Sequence, residues 1–142
     1  MTSITLEQAQ TIVAAALAHG KEQVLKPLCV AVLDPGGHLL ALARQDGAST
    51  LRPQIACGKA GGALSIGISS RKIAAMAAER PSFVASLGSI APHGVIPAPG
   101  GVIVVDGGGA ILGGVGITGD TSDNDEAAAL AGIAAAGLRA QD

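Results

Sequence analysis

A chain of 142 residues with net charge −2 and 49% hydrophobic residues suits one domain with one core, and is too apolar to stay disordered. It has no Lys/Arg cluster and one aromatic residue, Phe83, so it lacks both the basic patch and the stacking platform that nucleic acid requires. The opening MTSITLEQAQ has no basic region or apolar run, and no 18-residue stretch stays apolar without charge or proline, so neither a signal peptide nor a membrane span is expected.

Thr5 is placed to cap a helix that starts at Leu6, with Gln8 at the third helical position. Leu6, Ala9, Val13, Ala16 and Leu17 share its apolar face, and His19-Gly20 reads as its stop. Leu28 to Leu33 reads as a strand, Asp34-Pro35-Gly36-Gly37 as a turn, and His38 to Arg44 as the returning strand of a hairpin. A polar loop follows, from Gln45 to Pro53. Gln54 to Leu64 is helical in pattern despite Gly58, Gly61 and Gly62, each of which costs up to about 1 kcal/mol against alanine in a helix. Glycines retained at that cost indicate a second backbone in close approach. Ser69-Ser70 caps a further helix running to about Glu79, and the proline-rich Ser82 to Pro99 reads as an ordered loop. Gly101 to Val105 and Ala110 to Thr118 form a second hairpin around Asp106-Gly107-Gly108-Gly109. A last helix begins at Ser122 or Asp123 and runs to about Arg139. Hairpins with helices between them predict a single α+β domain with an antiparallel sheet, covering residues 1–142.

Cys29 and Cys57 have no metal-type spacing and read as reduced thiols of a cytoplasmic protein. A small, weakly charged and apolar chain is expected to bury further surface as a homo-oligomer, a dimer or larger.

Gly114-x-Gly116-x-x-Gly119 has the spacing of a dinucleotide loop, but only one alanine-rich helix follows, and the second strand of that motif has no place. Four carboxylates, on Asp120, Asp123, Asp125 and Glu126, also crowd the position a pyrophosphate would take. A calcium loop counted from Asp120 fails because its sixth residue is Asp125 rather than glycine. A looser cation site on Asp120, Asp123 and Asp125 is the weaker alternative, and no metal site is assigned. Capping boxes at Asp123-x-x-Glu126 and Ser122-x-x-Asp125 account for two of the acids and leave two beside a glycine-lined strand end.

Several stretches together resemble the GlcG/HbpS family. They are Asp34-Pro-Gly-Gly-His38-Leu-Leu-Ala-Leu-Ala-Arg44, Asp46-Gly-Ala, the helix with Lys59, Pro97-Ala-Pro-Gly-Gly101, Gly113-Gly-Val-Gly-Ile-Thr-Gly119 and Asp120-Thr-Ser-Asp-Asn-Asp-Glu126. The same residues are similar to the C-terminal domain of PduO-type corrinoid adenosyltransferases. The resemblance spans about Thr5 to Leu138. It implies a profilin-like fold with a central antiparallel five-stranded sheet, the fifth strand falling within Ser89 to Ile96, and an oligomeric assembly. It also implies haem as a ligand, held non-covalently, with His19, His38 and His93 as candidate axial ligands.

The residues themselves point first to a small-molecule site. Lys59 lies in a stretch almost free of other charge, where desolvation lowers an amine's pKa and suits it to act as a base, nucleophile or anion anchor. The bland alternative pairs it with an acid of the last helix. Arg44 and Arg52 suit a carboxylate clamp, Asp120 or Asp125 a proton shuttle, and Gly100-Gly101 a backbone anion cradle. With Thr118 these residues predict a pocket bounded by the Lys59 helix, Gly100-Gly101 and the Thr118 to Asp125 corner. The chemistry expected there is hydrolysis or proton transfer on a small carboxylated metabolite of the aromatic ring-cleavage type. The competing readings are a haem-binding protein and a non-catalytic binding or structural subunit.

Overall fold

The structure, a computed structural model, describes residues 1–142. Its elements are α1 (Leu6–Glu22), β1 (Cys29–Leu33), β2 (Leu39–Arg44), α2 (Arg52–Ile66), α3 (Ser70–Glu79), α4 (Pro81–Leu87), β3 (Gly101–Val105), β4 (Ile111–Thr118), α5 (Ser122–Ala135) and β5 (Arg139–Ala140). The five strands form one antiparallel sheet in the order β2-β1-β4-β3-β5. Helices α1 and α5 pack together on one face, and α2 covers the other. This is the profilin-like α+β architecture.

Both expected hairpins form, with Asp34 and Asp106 each closing its turn through a side-chain oxygen that accepts two backbone N–H groups. The Thr5 capping box is complete: Thr5 Oγ1 accepts from Gln8 N and Gln8 Oε1 from Thr5 N. Helix α1 does not stop at His19-Gly20, however. It continues to Glu22, because Gly20 is a packing position where a Cβ would lie 2.8 Å from Leu28 Cδ1.

Further boundaries differ from the sequence expectation. Ser82 to Pro99 is not all loop, because Pro81 opens the short helix α4 at a position where its missing N–H costs nothing. The fifth strand is not within Ser89 to Ile96. It is Arg139–Ala140, which pairs with the outer edge of β3. Accordingly α5 ends at Ala135 rather than Arg139, and Gly137 (φ +72°) turns the chain into that strand. The cap of α5 is Thr121, whose Oγ1 accepts from Asn124 N, so neither predicted capping box at Ser122 or Asp123 forms.

The position of α2 follows from glycine. A Cβ on Gly116 would run into the carbonyl oxygen of Ala56, and one on Gly101 into that of Lys59. Bare strand backbone therefore lets the helix settle directly on β3 and β4. On its other side, Gly61 and Gly62 admit the His93–Val95 segment: a Cβ on Gly61 would lie 2.6 Å from the His93 ring. The close approach inferred from the glycines of α2 thus occurs on both of its sides.

Candidate functional site

Helix α2 carries Lys59 to the sheet side, where it is 3% exposed. Its Nζ donates to Ile117 O at 2.9 Å and meets Asp125 Oδ2 at 3.2 Å. Asp125, in the first turn of α5, is 1% exposed, and its other oxygen accepts Asp120 N at 2.9 Å. Burial lowers the Lys59 pKa and raises that of Asp125, and in each case it outweighs the attraction of the partner. Two of the three donors of the amine have protein acceptors, and none of the main surface cavities is lined by Lys59 or Asp125. The pair is a staple between α2 and α5 across the end of β4.

Gly100 and Gly101 do lie against Lys59, as the sequence suggests, but they serve packing rather than an anion. Gly100 (φ +127°) would set a Cβ 2.8 Å from Lys59 Nζ, and Gly101 N donates to Ser70 Oγ at 2.7 Å. Ser70, fully buried, is a site neighbour that sequence reasoning misses, because it passes for a helix-start residue. Asp120 is engaged too: it accepts from Lys26 N, Thr121 N and Asn124 Nδ2, each at 2.8 Å. Asp123 and Glu126 turn to Arg71, and no three His, Cys, Asp or Glu side chains gather as metal ligands. Thr118 Oγ1 accepts from Arg52 Nη1 at 2.7 Å, and Arg44 Nη1 donates to Ala48 O at 2.7 Å. Lys59, Asp120, Asp125, Gly100 and Gly101 are therefore neighbours that fill the corner instead of leaving a pocket, while Arg52 joins it only through Thr118 and Arg44 stands two strands away on β2.

The open space lies on the outer side of α2. A cleft of about 190 Å³ is bounded by the Pro35–His38 turn, by Gly61, Leu64 and Ser65 of α2, and by Pro92 and His93. A groove of about 380 Å³, also bordered by Pro92 and His93, continues along Pro53, Gln54 and Cys57. His93 Nε2 lies 2.7 Å from Gly37 O, which fixes that nitrogen as the donor and latches the loop to the turn. The His38 side chain is 82% exposed. Its Nδ1 is 3.4 Å from Asp34 Oδ1, and its Nε2 has no protein partner. His19 is on α1, on the opposite face of the sheet. The sequence marks all three histidines, but it does not show that two of them, 55 positions apart in the chain, meet at one cleft.

A family model described as haem degrading protein HbpS-like matches residues 4–134. The chain belongs to the HbpS-like family. Streptomyces reticuli HbpS, solved as a double mutant, is 32% identical with a TM-score of 0.81, covering 94% of this chain and 87% of that one. Klebsiella pneumoniae protein ORFY is 26% identical with a TM-score of 0.85, covering 96% and 92%. A PduOC:heme complex superposes with a TM-score of 0.86 over 99% of each chain at 20% identity, a likeness of fold. No curated protein matches the chain. No helix is long and apolar enough to cross a membrane.

Proposed function

We propose that this protein binds haem non-covalently in the cleft between the β1–β2 turn and the Pro92–His93 loop, with His38 as the axial ligand. The observation that carries this reading is the free imidazole of His38 at the cleft, beside a carboxylate. Asp34 next to Nδ1 suits the arrangement in which a second-shell carboxylate orients a metal-bound histidine and raises its basicity. Family membership supports haem as the ligand, and so does the haem complex of a protein with the same fold.

The residues fit haem in part. Pro35, Leu64 and Pro92 give apolar walls, but the cleft is smaller than the roughly 300–1,000 Å³ of enclosed ligand pockets. The adjoining groove, which shares Pro92 and His93 with the cleft, would have to supply the remaining space. Cys57 borders that groove, but burial raises its thiol pKa, so the thiolate that iron requires is disfavoured and histidine is the better ligand. When bound, haem supplies an iron that accepts an imidazole nitrogen. His38 would hold that iron and Asp34 would steady the ring, while the latched His93 keeps the loop against the turn. The apolar groove between α1 and β2, lined by Leu6, Val13, Leu17, Leu40 and Leu42, supports the expected homo-oligomer.

The enzymatic reading centred on Lys59 has no comparable support, since the amine is buried and lines none of the main cavities. Haemin titration tests the proposal. Wild type is expected to give a saturable Soret shift that His38→Ala abolishes, His93→Ala weakens and His19→Ala leaves unchanged. Equal binding by His38→Ala and wild type, or no saturable shift at all, would overturn it.

A further inference from the structure

We propose that Arg44 and Arg52 form an oxyanion site at the end of the sheet beneath the start of α2, separate from the histidine cleft. Its ligand would be a small dianion, either a dicarboxylate or a phosphate.

The strand register builds the site. Arg44 on β2 stands opposite Cys29 on β1, and Cys29 stands opposite Thr118 on β4. Cross-strand partners share a face of the sheet, and Cys29 packs against Ala56, so this row lies on the α2 side. Two strand spacings separate the ends of the row, about 10 Å. Arg52, in the first turn of α2, reaches down to Thr118 Oγ1 at 2.7 Å. Arg44, at the other end, is fixed by Ala48 O in the loop that joins β2 to α2. Two guanidinium groups from different elements are thus anchored at the two ends of one row.

Neither has a counter-ion. The ion pairs of this protein involve His38, Lys59 and Arg71 only. Asp46, in the same loop, is exposed and pairs with neither arginine. A guanidinium has five N–H donors, and a single neutral acceptor leaves most of them free. Arginine unpaired but held in position is suited to bidentate capture of carboxylate or phosphate. Helix α2 adds to the positive potential, because its first turn has no acidic residue and no side-chain cap. All this occurs in a chain whose net charge is −2. The β1–β2 turn that borders the histidine cleft lies at the far end of β1, about 17 Å from Cys29 at the usual rise per residue, so Arg44 stands apart from that cleft, while Arg52 is next to Pro53 at the end of the adjoining groove.

The test uses apo-protein at fixed ionic strength, titrated with inorganic phosphate, succinate or chloride, and read by thermal shift and isothermal calorimetry. Wild type is expected to show saturable stabilisation by phosphate or succinate but not by chloride, and the tighter of the two identifies the anion class. Arg44→Gln and Arg52→Gln are each expected to weaken binding at least tenfold. Arg44→Lys, which keeps the charge but not the fork, should fall between. Haemin affinity should stay at the wild-type value in Arg44→Gln, so failure here is separable from failure of the haem proposal. Equal stabilisation by all three salts, or undiminished binding in Arg44→Gln, would overturn the site. Arg44→Gln decides the matter even if Arg52→Gln, which loses its bond to Thr118, does not fold.

Discussion

The two faces of the sheet solve the packing problem in different ways. Under α1 and α5 the core is built of branched side chains: Ile12, Leu28, Val30, Val32, Val115, Ile117 and Ile133 form one continuous cluster with Val102, Val104 and Leu112. Under α2 the chain has mostly glycine and alanine, and the buried residues fall into two clusters of three. On the first face, stability comes from apolar area removed from water, which tolerates small changes of shape. On the second it comes from backbone approaching backbone, which tolerates no added atom. The glycine face also holds the buried ion pair, the histidine cleft and the arginine row. A helix set directly on bare strands leaves its own outer surface within reach of the 88–97 loop, and the cleft forms there.

The largest expected effect comes from unbalancing the ion pair. Lys59→Met leaves Asp125 buried without its cation and should cost about 3–5 kcal/mol. Burial works against the charged form of both groups, so the intact pair is expected to contribute little net stability. The double variant Lys59→Met/Asp125→Leu should therefore recover most of the loss. Urea unfolding of wild type and the two variants measures this. A double variant no more stable than Lys59→Met would show that the pair does more than neutralise itself.

Gly116→Ala comes next. The new methyl meets the Ala56 carbonyl, which belongs to helix backbone and cannot swing aside, so the loss should reach or exceed about 3 kcal/mol, the upper end of overpacking costs. By contrast Gly107→Ala, in an open turn with nothing nearby, should change stability by less than about 0.5 kcal/mol. If both alanines cost the same, the close seating of α2 is wrong.

The contrast between the faces also explains what the sequence could disclose. Hairpins, the Thr5 cap and the helices announce themselves through local rules: Asp-Pro-Gly-Gly, alternating strands, three- and four-residue steps. The glycines at 58, 61 and 62 announce a close neighbour without naming it, since what fills the space is His93 from a distant loop. Lys59 stands out because charge is scarce around it. Whether it faces a substrate or Asp125 depends on the offset between α2 and α5, which no local rule encodes. The acids after Gly119 read as caps because Ser122 and Asp123 are good capping residues. Thr121 is as good, and the choice is settled by Asp125 being drawn inward to Lys59 and by Asp123 and Glu126 meeting Arg71. The fifth strand escapes notice because two residues carry no periodicity.

On the branched face the effects should be smaller for the same chemical step. Ile133→Val removes one methylene from a well-filled site and should cost about 0.5–1.5 kcal/mol. Thermal melts of Ile133→Val and Gly116→Ala, run together, compare the faces directly. Removing volume beneath α1 and α5 is expected to be milder than adding a methyl beneath α2.

The smallest effect joins the faces at their shared corner and is visible through pH. Asp120 lies at the surface, and the bond from Asn124 Nδ2, with those from Lys26 N and Thr121 N, holds its carboxyl down at about 2 from an ordinary 3.8. With the folded value below the unfolded one, the unfolded chain takes up the proton first as pH falls. The stability Asp120 supplies is therefore complete above about pH 4 and is lost between about pH 4 and about pH 2. Asp120→Asn removes this step. Its melting temperature should lie below that of wild type at pH 6, and the two curves should converge by about pH 2. Taking the difference between the two proteins at each pH cancels the other carboxylates, including Asp34, whose pKa is also lowered by its turn hydrogen bonds. Curves that run parallel across the whole range would mean that the tie from Lys26 to the start of α5 does not form in solution. The corner would then be held by the Lys59–Asp125 pair with the Arg52–Thr118 and Arg71 contacts.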